Sequence, residues 1–212
     1  MRWIMWSHLL RALAFAALIP ASAMAGGRTE ARHLQIVVSV FNRAEAEHVV
    51  ILASEKMTTK IYEQIGISIV WKNCRTQSEP DLDRCEPATD RSQLVLHIEH
   101  QSRALFTDAF GVSWLGDDGW GTYCDVFYDR ILKLHREGRA SEGTILGMVV
   151  AHELGHLLLG SNSHSDSGIM RPKWQSQDFL TPEFAVTKFS RNQVQKICDR
   201  FKQVAPIEVA RR

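Results

Sequence analysis

His152 and His156 stand four residues apart, with Glu153 directly after the first, in the segment His152-Glu153-Leu154-Gly155-His156. On a helix, positions four apart share a face, so both imidazoles can reach one ion, and a zinc ion suits two such nitrogens. Glu153 then sits where a carboxylate can take a proton from a metal-activated water, the general-base step of peptide hydrolysis. The bland alternative is a chance match in an amphipathic helix, with both histidines satisfied by core hydrogen bonds. Against it, the run Ile145 to Leu159 is apolar nearly all round. Two histidines and a glutamate buried there without a partner such as a metal are costly. A catalytic zinc also needs a third protein ligand and an open position. His164, past Gly160 in the polar stretch Ser161-Asn162-Ser163-His164-Ser165, can be swung back beneath the metal by a tight turn, with Asp166 as the reserve oxygen ligand.

The elements that must position these groups follow from periodicity. Leu34 to Phe41 is β-branched and apolar, as in a strand buried on both faces. Arg43 to Gln64 repeats apolar residues three and four apart and stops at Gly66, which predicts a helix. Ile67 to Trp71 is the next strand, so strand, helix and strand predict a parallel pair joined by a crossover helix. Arg75 to Arg91 reads as a loop, Gln93 to His100 as a third strand, and Phe110 to Leu115 and Gly121 to Tyr128 as two more around the turn Gly116-Asp117-Asp118-Gly119. Ser141 or Thr144 can cap the helix that carries the histidines, and Gly160 ends it. A last helix runs from about Arg191 to Phe201. The expected class is mixed α/β, or α+β, built on a twisted mixed sheet.

Together the extended motif and the residues after it resemble the metzincins, zinc peptidases with an elongated HExxH motif followed by a methionine turn. Ser167-Gly168-Ile169-Met170 resembles that turn, and Met170-Arg171-Pro172-Lys173-Trp174 resembles the matrixin pattern of Met, spacer, Pro, spacer and aromatic. The resemblance implies a sheet lobe over about 33–160 and a small C-terminal lobe over about 161–212 that ends in a helix. It also implies that Met170 is a hydrophobic floor under the metal, that Pro172 to Trp174 wall a specificity pocket, and that the strand bearing Val112, Ser113 and Trp114 receives extended peptide. One departure is plain. The clan places glycine three and histidine six residues after the second motif histidine, where this chain has Leu159 and Asn162. Gly160 and His164 come one and two residues late, as a helix and a loop each one residue longer would produce.

Residues 1–25 carry Arg2 and Arg11, the apolar run Ala12 to Ile19, and a small-x-small site at Ala23-Met24-Ala25. This reads as a secretory signal peptide, too short to span a bilayer, which leaves 26–212 as a single exported domain, periplasmic or extracellular. Removing it takes two of 25 basic residues and none of 24 acidic ones, leaving 23 against 24. Such a balance offers nothing to nucleic acid. In an oxidising compartment the four cysteines can form two bridges, with Cys74 paired to Cys85 across a polar turn-rich stretch and Cys124 left to Cys198. Asp108, Asp117 and Asp118 read as turn residues rather than calcium ligands, and the other histidines as surface or core. The expectation is a zinc-dependent peptidase acting on peptide or protein. Its rival is a non-catalytic zinc-bound binding module of the cell envelope. A third possibility, a glutamate-liganded site using Glu183, lacks a convincing helical setting.

Overall fold

Nine elements of regular structure build the described part of the chain. They are β1 (Leu34–Asn42), α1 (His48–Glu63), β2 (Ile67–Cys74), β3 (Gln93–Glu99), β4 (Gly111–Trp114), β5 (Tyr123–Phe127), α2 (Tyr128–Glu137), α3 (Glu142–Leu159) and α4 (Arg191–Val204). The computed structural model describes residues 34–74, 85, 90–101, 108–138, 140–174 and 188–204, which belong to one compact unit. The signal-peptide reading of 1–25, most of the loop reading of 75–91, and Glu183 lie outside the described residues.

The strands form one mixed sheet in the order β2-β1-β3-β5-β4. β1 pairs in parallel with β2 and β3, β3 in parallel with β5, and β4 runs antiparallel to β5 at the edge. The expected crossover holds, since α1 leads from β1 to its parallel neighbour β2, with Gly66 at φ 76° turning the chain. Alternation decides which side chains reach the core. Ile36, Val38 and Val40 of β1 and Leu94, Leu96 and Ile98 of β3 are all buried on the face that α1 and α3 cover. By register, Cys124 and Val126 of β5, and then Ser113 and Gly111 of β4, continue that face toward α3.

α1 begins five residues later than its periodicity suggests. Asn42 explains the delay, because its side-chain amide donates to Ala46 O (2.8 Å) and its carbonyl accepts from Ala46 N (3.1 Å), which closes residues 43–46 into a turn. β2 runs on to Cys74, where the indole of Trp71 donates to Thr59 and the amide of Asn73 to Glu55. α2 was not foreseen: the sequence reading carried the strand through Tyr128, where the helix starts. Tyr128, Ile131 and Leu134 are its buried residues, and their spacing of three was the available signal.

α3 is capped by Ser141, whose hydroxyl accepts from Thr144 N, and is ended by Gly160 in the left-handed region. α1 crosses it at close range. Gly143, Gly147 and Ala151 form a small-residue strip facing Ser54, Thr58 and Tyr62: the Thr58 hydroxyl donates to Gly147 O (2.9 Å) and the Tyr62 hydroxyl to Ala151 O (3.0 Å). A Cβ on Gly147 would stand 2.6 Å from Ser54 O and 2.7 Å from Met57 Cβ. Gly147→Ala gains up to about 1 kcal/mol of helix propensity, but forcing the helices apart costs about 1–3 kcal/mol. The variant is therefore expected to be less stable in urea unfolding. A rise in its midpoint would show that the helices do not meet this closely.

Cys74 and Cys85 are joined as a disulfide, with Cα atoms 5.7 Å apart, as the sequence predicted. The expected partner bridge is corrected: Cys124 and Cys198 are both free. Cys124 lies fully buried on β5 beneath α3, near Tyr62 and Glu153, and burial holds its thiol well above the ordinary range. Cys198 lies half-buried on α4, one position round from Ile197, which alone of the pair faces the core. β5 and α4 each pack against α3, so the two cysteines lie on different elements.

Candidate metal centre and cleft

The helical spacing does what geometry requires of it. His152 and His156 bring their Nε2 atoms to 3.0 Å, and the loop after Gly160 carries His164 back so that its ring centroid lies 5.2 Å from His152 and 4.9 Å from His156. One ligand atom from each of the three lies within 4.8 Å of the others. Helix α3 ends one residue later than the family pattern, at Leu159, and the longer loop absorbs the late histidine.

Proton bookkeeping at the rings tests whether this group suits a metal. His152 Nδ1 is 2.8 Å from Ile169 O, and His156 Nδ1 is 2.8 Å from Ser161 O. A carbonyl only accepts, so both Nδ1 atoms carry the proton and donate it. In neutral rings both Nε2 atoms are then acceptors, and two acceptors facing one another at 3.0 Å cannot share a hydrogen bond. Protonating a ring would relieve the conflict, but burial, followed by the neighbouring His156, pulls His152 down to about 3. Burial also lowers His156 and His164. A cation held by the two nitrogens would relieve it, so the donor set suits a metal. Two nitrogens of a tetrahedral zinc shell stand roughly 3.3 Å apart, close to the spacing present. The backbone carbonyls act as the outer partners that fix ring orientation.

Glu153 is 5% exposed and lies beside this group against β4. Burial pushes its carboxyl up to about 7, opposed by the Ser113 hydrogen bond and assisted by the charge of Asp125. Met170 is fully buried, and a Cβ on Gly155 would lie 2.6 Å from its sulfur, so the thioether packs against the middle of the motif. The turn holding it is closed by Ser165 N donating to Met170 O (2.9 Å), with Gly168 at φ 80°.

A cavity of about 240 Å3 opens over the site. One wall is the approach to β4, from Asp108 through Val112 and Ser113, and the other is Arg171, Pro172 and Trp174, with Val149 and the motif residues beneath. Of the expected pocket residues, Val112, Ser113, Pro172 and Trp174 line it. Trp174 also meets His152 edge to face at 5.4 Å. Trp114 does not line it: its indole stacks near Tyr123 on the other face of the sheet and donates to Asp125 Oδ2 at 3.2 Å. Asp166 is exposed and outside the three-histidine group. Asp118 serves the turn, accepting from Trp120 N at 2.9 Å.

The sequence reading missed a second group, His97, Glu99 and Asp125, whose ligand atoms also lie within 4.8 Å of one another. Its signal was present: His97 and Glu99 alternate on one face of β3, and Asp125 is the register partner of His97. Its charges are answered from within. Arg43 meets Glu99 at 2.7 Å, and Tyr123 and Trp114 both donate to Asp125. The guanidinium already pairs with the Glu99 carboxylate of this group.

No family model matches the chain, and no curated protein matches its sequence. Solved structures do match its fold. Metalloproteinase-II from Bacteroides fragilis aligns with a TM-score of 0.51 at 10% identity, over 79% of this chain and 53% of that one. A zinc-dependent peptidase from Methanocorpusculum labreanum aligns at 0.50 with 12% identity, over 76% of this chain and 99% of that one. Archaemetzincin from Methanopyrus kandleri aligns at 0.50 with 13% identity, over 82% and 98%. The chain thus spans about half the length of the Bacteroides protein and nearly all of the other two. At these identities the likeness is one of fold, and the fold is metzincin-like, as the sequence motifs implied.

Proposed function

We propose that the chain is an exported zinc-dependent metallopeptidase, an endopeptidase whose ligands are His152, His156 and His164. The observation that carries this reading is the pair of facing Nε2 acceptors, their protons committed to Ile169 O and Ser161 O, with the third imidazole closing over them. The structural neighbours, a metalloproteinase, a zinc-dependent peptidase and an archaemetzincin, support the same assignment.

Zinc, when bound, supplies a Lewis acid that polarises a carbonyl and acidifies water. The rest falls to the chain. Glu153 takes the proton of the attacking water and passes it to the leaving amine, a cycle suited to a carboxyl whose burial raises it toward neutrality. Among the described residues β4 pairs only with β5, so its outer edge can receive an extended peptide by backbone pairing. Pro172 and Trp174 form the facing wall, and Met170 the apolar floor. Export rests on the leader at 1–25. The Cys74–Cys85 disulfide is compatible with it, and no helix among the described residues is long and apolar enough to cross a membrane.

The test is cleavage of a peptide library by the 26–212 protein with and without a chelator. Cleavage is expected to vanish on metal removal and to return with one equivalent of zinc. Turnover that persists in the metal-stripped protein would sink the proposal.

A further inference from the structure

We infer that Ser113 is a positioning residue for Glu153, and that β4 carries a seat for that carboxylate built from Gly111 and Ser113. The inference rests on the peptidase reading and adds to it a residue forty positions upstream of the motif, which no spacing within the motif reveals.

Gly111 and Ser113 are two apart on a strand, so both face α3. The Ser113 hydroxyl lies 2.7 Å from Glu153 Oε2 and 2.8 Å from Glu153 O, and the residue is 5% exposed. Gly111 makes the room: a Cβ there would stand 2.7 Å from Glu153 Cγ and 2.9 Å from Cδ. The glutamate stem lies flat against the strand where the glycine is, and its head is tied down two residues on. The hydroxyl has one proton and two acceptors, and an ionised carboxylate is the stronger of them. Ser113 therefore fixes Oε2, and among the described residues no hydrogen bond reaches Oε1. Oε1 is left to face the cavity, where it takes the proton from water and returns it to the leaving nitrogen. Without the tie, a glutamate side chain has rotamers to explore, and a misplaced general base loses rate without losing substrate affinity.

The 26–212 protein is compared as wild type, Ser113→Ala, Ser113→Thr, Glu153→Gln and the Ser113→Ala/Glu153→Gln double variant, with kcat, KM, zinc content and Tm read for each. Ser113→Ala is expected to lower kcat by roughly tenfold or more, as loss of a hydrogen bond to a charged group implies. KM and zinc content should stay near wild type, Tm should fall by several degrees at most, and Ser113→Thr, which keeps the hydroxyl, should recover most of the rate. Because the serine acts through the glutamate, Ser113→Ala should have little further effect once Glu153 is glutamine. A Ser113→Ala protein that cleaves within twofold of wild type overturns the inference. So does a loss that accompanies zinc release or unfolding at the assay temperature, or one equally large in the Glu153→Gln background. A wild-type protein that does not cleave at all fails differently, by removing the peptidase reading on which the seat depends.

Discussion

Glu153→Gln is expected to lower kcat for peptide cleavage by about 10³–10⁴-fold, to a small but readable residual rate, while the protein keeps one zinc per chain. Glutamine has the length and shape of the glutamate, so the stem still fits against Gly111 and the amide oxygen still accepts from Ser113. What it lacks is the capacity to take a proton. General acid–base catalysis contributes about 10²–10⁴-fold, and here one group serves the attacking water and the leaving amine in turn, so the loss should lie near the upper end. The metal should remain because none of the three proposed ligands is substituted, and His152 and His156 are oriented by Ile169 O and Ser161 O. Steady-state kinetics and zinc analysis on the same preparation separate the alternatives. Full zinc with only residual turnover identifies Glu153 as the base. Cleavage at the wild-type rate removes it from that role. If wild type and variant alike bind zinc and neither cleaves, the chain is the binding module that the motif also allows.

How much of this was legible in the sequence depended on whether the signal was local. Helix α3 was readable from end to end, because its cap, its apolar run and its terminating glycine all lie within twenty residues, and the motif histidines inherit their geometry from it. The parallel β1–β2 pair was readable because a helix of the right length separates two apolar runs. The Cys74–Cys85 bridge was readable because a short polar loop brings the two together. Failures came where the deciding contact was distant or directional. The Cys124–Cys198 pairing followed by elimination alone, and elimination cannot know that a strand's alternation buries one thiol beneath α3. Trp114 was grouped with Val112 and Ser113 as neighbours in sequence, whereas its indole goes to Asp125. Ser113 shows the limit most clearly. A serine on an edge strand looks like any other until the helix forty residues on places a carboxylate against it.

The proposed third ligand, His164, is the site residue whose position follows least from local rules, and its removal should have the second large effect. His164→Ala is expected to weaken zinc binding by at least about a hundredfold, since loss of an outer partner of a ligand alone costs 10–100-fold. The two helical histidines would remain, but a pair presents too few donors for the tetrahedral site that zinc prefers. The loop that carries His164 is already tied down. Ser163 N donates to Ser161 Oγ at 3.1 Å, and Ser165 N donates to Met170 O at 2.9 Å on its far side. Little ordering is therefore left for the metal to impose, and most of the lost affinity should reflect the missing nitrogen itself. Asp166→Ala is the matched control, because that carboxylate is exposed and stands apart from the three-histidine group. Competition against a chelator of known zinc affinity should place His164→Ala far below wild type and Asp166→Ala beside it. The reverse order would make the carboxylate the third ligand. Unchanged zinc affinity in both variants would mean that the metal is held by His152 and His156 with a donor from elsewhere, and the late position of His164 in the motif would then mark a true departure from the family pattern rather than a longer loop.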